Sequence, residues 1–117
     1  MAAYNRTPGK TTISPEVISE IARMAALSVP GVGSLTPVPG AVNRLFQRAA
    51  HGGIQISVRE ETVSADIYLT VKQDMNIREV SRNVQQQVAR AIQEMTGMDV
   101  GQIDIHIEDI EYEAAEA

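Results

Sequence analysis

Across "TVSADIYLTVK" the aliphatic residues Val63, Ala65, Ile67, Leu69 and Val71 fall on every second position, and polar or amphipathic residues fill the gaps. This pattern constrains the chain more than any other feature. A period of two places one residue set on each face of a β-strand, and slipping the register by one would move every aliphatic into water. The same rhythm runs through "GIQISVRE", where Ile54, Ile56 and Val58 alternate with Gln55, Ser57 and Arg59. It returns in "QIDIHIE", where Ile103, Ile105 and Ile107 alternate with Gln102, Asp104, His106 and Glu108. The first two runs meet near Glu60-Glu61 and predict a hairpin. "KTTI" (10–13) and Val32–Leu35 read as shorter extended pieces.

Between these runs the period changes to that of a helix. Ser14-Pro15 is a start signal, because the serine hydroxyl can accept from unbonded backbone N–H groups and proline lacks the N–H that the first position would leave unsatisfied. Ile18, Ile21, Ala22 and Ala25 then follow at helical spacing, and Val29-Pro30-Gly31 ends the segment. A second helix opens on Asn76 with Glu79 three residues on, and Met75 and Val80 are placed to staple its entry. Its buried stripe is expected to be Ile77, Val80, Val84, Val88, Ile92 and Met95, with Gly97 as the left-handed cap. "AVNRLFQRAA" reads as a short third helix, with Val42, Leu45, Phe46 and Ala49 on one side and Gly52-Gly53 as its stop.

The expected fold is α+β: a mixed, mainly antiparallel sheet, two long helices packed on one face, and a short extra helix. Residues 1–9 read as a flexible arm, 10–110 as one domain and 111–117 as an acidic tail. Ile105 and Ile107 should lie beneath the long helix against Val84, Val88 and Ile92, leaving His106 on the solvent side.

Composition narrows the function classes. The chain has 117 residues, no cysteine and a net charge of −5. Disulfide, thiolate-metal and thiol chemistry are therefore excluded. A general nucleic-acid binder usually carries a basic patch, which the charge argues against. No apolar run approaches the roughly 20 residues that span a bilayer, and "MAAYNRTPGK" has no apolar core of a secretion signal, so a cytoplasmic location is expected.

"ISPEVISEIARMAALSVPGV" and "NIREVSRNVQQQVARAIQEMTGMDVGQIDIHIEDI" together resemble the alkaline shock protein (Gls) family of envelope-stress proteins, over about residues 10 to 110. The "EMTGMDVGQIDIHI" segment is the most specific part. The resemblance implies a non-enzymatic, homo-oligomeric, cytoplasmic protein of mostly Gram-positive bacteria, with a protein partner that in some members is a membrane anchor. It offers no catalytic residues to carry over, and the residues themselves lead to the expectation of no cofactor and no metal.

Three surfaces remain as partner candidates. Arg44, Arg48 and His51 make a small basic spot beside Phe46. Arg82, Gln86 and Arg90 align at i, i+4 and i+8 on the second long helix. Tyr68 and His106 belong to the polar face of the sheet. "DIHIE" also invites a metal-centre reading, in which Asp104, His106 and Glu108 are joined by Asp66 from a neighbouring strand. The same alternation occurs in strands without histidine, so a wet sheet face explains it more simply. A nucleic-acid module with Tyr68 as its stacking residue is the alternative from another class.

Overall fold

The computed structural model describes residues 9–39 and 49–112. Its elements are α1 (Pro15–Leu27), β1 (Val32–Leu35), β2 (Ala49–His51), β3 (Ile54–Arg59), β4 (Thr62–Lys72), α2 (Ile77–Thr96) and β5 (Asp99–Glu111). The fold is α+β, with a mainly antiparallel sheet and two helices among the described residues.

β4 is the organising strand. On one flank it pairs antiparallel with β3 along its first half and with β1 along its second. Tyr68 marks the junction: its N–H donates to Gly53 O at 2.8 Å, and its carbonyl accepts from Thr36 N at 2.9 Å. β2 extends the sheet beyond β3. On its other flank β4 pairs in parallel with β5, which requires a crossover, and α2 supplies it.

Both long helices begin as the sequence predicts. Ser14 Oγ accepts from Val17 N, and Asn76 Oδ1 accepts from Glu79 N at 3.0 Å. Gly97 ends α2 at φ +76°. Asn76→Ala should cost about 1 kcal/mol, because the Glu79 N–H would lose its partner and rely on water. A urea melt measures it.

Val63, Ala65, Ile67, Leu69 and Val71 are all buried. They share one core with Ile54, Ile56, Ile103, with Ile18, Ile21, Ala22 and Ala26 of α1, and with Val80, Val84, Val88 and Ile92 of α2. Two steps of three residues interrupt the alternation of β5, Val100 to Ile103 and Ile107 to Ile110. Both coincide with register shifts against β4. Each shift absorbs one residue, so the aliphatics before and after it stay on the core side.

Several expectations need correction. Residues 10–13 form no strand. Val58 is 40% exposed, since β2 pairs with β3 only as far as Ile56 and leaves Val58 on an edge among the described residues. Ile77 and Met95 are 40% and 69% exposed, on the first and last turns of α2. The short helix falls on 41–48, outside the described residues, but its last two positions, Ala49 and Ala50, are strand. Gly52-Gly53 is accordingly no helix stop. With φ of +56° and +88° it makes the two-residue turn joining β2 to β3. Ile105 and Ile107 are only partly buried, since β5 has a strand neighbour on one side alone among the described residues.

Candidate functional site

Adjacent strands in parallel register stack like residues side by side. Tyr68 of β4 lies beside His106 of β5, both turned away from the core. Their rings stack, with centroids 4.3 Å apart and planes 11° from parallel. Two residues earlier on the same face of β4, Asp66 places Oδ1 3.0 Å from His106 Nε2. An imidazole N–H at Nε2 can donate to this oxygen, and the contact fixes the ring's orientation. Both side chains are 39% accessible, which leaves this pair open to water. Burial against its neighbours raises the Tyr68 phenol above its ordinary range, and the nearby Asp66 and Glu108 carboxylates add to the effect.

A second polar cluster crosses three strands. Glu111 Oε2 of β5 accepts from Ser34 Oγ of β1 at 2.6 Å and from Thr70 Oγ1 of β4 at 2.9 Å. Thr70 Oγ1 in turn accepts from Ser34 N at 2.9 Å. Gly33 makes the space: a Cβ there would stand 2.5 Å from Thr70 Oγ1 and 2.7 Å from the Glu111 carboxyl carbon. The hydroxyl donors, Ser34 first and then Thr70, hold the Glu111 carboxyl below its ordinary range against the opposing effect of desolvation, with help from Lys72.

A depressed folded-state pKa contributes stability above the unfolded value of roughly 4.3, lost as pH falls through the folded value. Glu111→Gln should therefore flatten the acid limb of the stability curve. Urea midpoints at neutral pH and at pH values below that unfolded value measure it; a wild type and variant with parallel acid limbs would contradict the clasp.

Of the residues singled out in the sequence, Tyr68 and His106 are brought together, and Asp66 joins them as a hydrogen-bond partner. Arg82, Gln86 and Arg90 lie on α2 and form a separate surface, with Arg90 Nε 3.2 Å from Glu94 Oε2. Arg44 and Arg48 lie outside the described residues. His51 belongs to β2, where it pairs with Ile54. Among the described residues, no group of three or more His, Asp or Glu stands where it could hold a metal ion, so Asp104, His106 and Glu108 do not converge. The Ser34–Thr70–Glu111 cluster has no signal in the sequence, because it depends on β1 and β5 flanking β4 on opposite sides.

Among the described residues, no helix is long and apolar enough to cross a membrane. Residues 3–112 match the model of the alkaline shock protein 23 family, described as having a "cell envelope-related function". The chain is 32% identical over 108 residues to the "Uncharacterized protein YqhY" of Bacillus subtilis (strain 168), covering 90% of this chain and 79% of the relative. It is 33% identical over 104 residues to "Uncharacterized protein Spy1535" of Streptococcus pyogenes serotype M6, with 87% and 79% covered. Among solved structures, one variant of the MamM CTD superposes with a TM-score of 0.52 at 14% identity, covering 85% of this chain and 100% of that one. A zinc form of the same domain gives 0.52 at 14% identity, over 82% and 86%. At that identity the likeness is one of fold.

Proposed function

The chain belongs to the alkaline shock protein 23 family, whose function is cell envelope-related, and from that premise we propose that it acts by self-association and by binding a protein partner, without catalysis. In this reading both helices cover one face of the sheet, and the other face is the docking surface. The carrying observation is the Asp66–His106–Tyr68 cluster: polar groups partnered to one another and partly accessible, on an open sheet face. A catalytic acid or base works from a site that excludes water and shifts its pKa toward the working pH. An ordered aromatic–carboxylate platform in water suits recognition instead, since an aromatic stack loses little side-chain freedom when a partner covers it.

The protein resides in the cytoplasm and reaches the envelope through an anchoring partner. Cell fractionation of the native host tests this. Wild-type protein should divide between the soluble and membrane fractions, and the Tyr68→Ala/His106→Ala double variant should move to the soluble fraction at unchanged abundance. A double variant that stays with the membrane would rule out the open face as the docking surface.

A further inference from the structure

β5 has thirteen residues and a strand neighbour only on its β4 side, among the described residues. Which of its backbone groups are free follows from the register. The even residues of β4 spend their N–H groups on the opposite flank, as Tyr68 does to Gly53 and Lys72 to Gly31. Its odd residues Ala65, Ile67 and Leu69 therefore face β5, where they stand opposite Ile103, Ile105 and Ile107. In a parallel ladder the bonds go to the residues flanking the opposite one, so the N–H and C=O groups of these three isoleucines point away from the sheet. One of them is already met by a side chain: Gln85 Nε2 of α2 donates to Ile103 O at 2.9 Å. Long unpaired edges are templates for another strand.

We propose, building on the self-association reading above, that Ile103–Ile107 of β5 is the edge through which a second copy of this chain pairs, antiparallel and centred on Ile105. Of the registers that set outward-pointing residues against each other, this one overlaps all five residues and places Asp104 against His106. Outward-pointing groups must meet outward-pointing groups, and the odd residues do so: Ile103 meets Ile107 of the second copy, and Ile105 meets its own counterpart. On the core side, the partly buried Ile105 and Ile107 gain aliphatic neighbours. On the open face, Asp104 falls opposite His106 of the second copy, and His106 opposite its Asp104, an acceptor facing an imidazole in each close, non-hydrogen-bonded pair. The irregularities around Gly101–Gln102 and Glu108 end the regular edge on both sides, which limits pairing to this stretch. The flank of α2 beside the edge carries Gln85 and Ala89, with Gly101 and Gln102 below them. None of these four carries a charge to oppose the approach of the symmetry-related helix.

The chain has no cysteine, which makes cross-linking clean. Ile105 and its counterpart would form a hydrogen-bonded pair with Cα atoms about 5.5 Å apart, inside the disulfide range. Ile105→Cys should give a disulfide-linked dimer under mild oxidation, whereas Ser57→Cys on β3 should not. Ile105→Pro should abolish association while leaving the monomer folded, since the lost N–H serves no bond within the chain. Circular dichroism checks that fold, and the two cysteine variants decide the matter if the proline variant does not fold. A monomeric wild type would overturn self-association and this pairing together. A wild type that assembles, with Ile105→Cys no more cross-linked than Ser57→Cys, would overturn the edge alone.

Discussion

Ile67→Ala is expected to destabilise the domain by about 2–5 kcal/mol, a large share of the roughly 5–15 kcal/mol that holds a small domain together. Ile67 is fully buried at the centre of β4. It stands between Ile54 of β3 and Ile105 of β5, so an unbroken row of isoleucines crosses three strands. Truncation removes methyl groups from a place where neither the sheet backbone nor the helices can move in to fill the void. His106→Ala, one strand away on the opposite face, should cost less than about 1 kcal/mol, because its partner Asp66 remains solvated when the ring is lost. Paired urea melts compare them. A larger loss for His106 than for Ile67 would mean that the faces of the sheet have been assigned the wrong way round.

Gly53→Ala is expected to be comparably costly, at roughly 2–5 kcal/mol from two sources. The backbone there has φ +88°, where a Cβ costs about 1–2 kcal/mol. The added carbon would also stand 2.7 Å from Leu35 Cβ, 2.8 Å from Thr36 O and 3.0 Å from Tyr68 O. Two of these are backbone atoms at the junction where β1 and β3 meet on β4, so relief would require parting the strands, at about 1–3 kcal/mol. Gly97→Ala separates the two sources. Its φ is also positive, but nothing lies within 4 Å of the added carbon. It should show the conformational cost alone, and equal losses at the two positions in urea melts would contradict the crowding at Gly53.

Local chemistry makes some parts of this molecule legible in its sequence. Both helix starts, the left-handed Gly97 and the buried half of β4 follow from side-chain period and capping chemistry, which act within a few residues. Alternation also predicts the β3–β4 hairpin, although its turn residues, Glu60 and Glu61, have φ of +52° and +66° without glycine's freedom. There the flanking strands override turn preference. Gly52-Gly53 is the opposite case. It carries the glycine signal of a two-residue hairpin, but the helical spacing of the residues before it favours a helix stop.

The site is half legible. Alternation places Tyr68 and His106 on the polar face, with Asp66 as a neighbour able to converge on His106. Their stacking needs the parallel register of β4 and β5, which a twenty-residue helix separates in sequence. The Ser34–Thr70–Glu111 clasp joins residues on three strands and has no local signature at all. Glu111 itself reads as part of a solvated tail. The partial exposure of Ile105 and Ile107 has the same origin: alternation reports which face a residue occupies, and says nothing about whether its strand is central or at the edge.

Whether this chain self-associates is decided by light scattering coupled to size-exclusion chromatography of the untagged protein. At high micromolar concentration the mass should be a multiple of the 12.7 kDa chain and should fall toward that value on dilution. A mass of 12.7 kDa held across the whole concentration range would refute self-association, and the pairing of β5 edges with it.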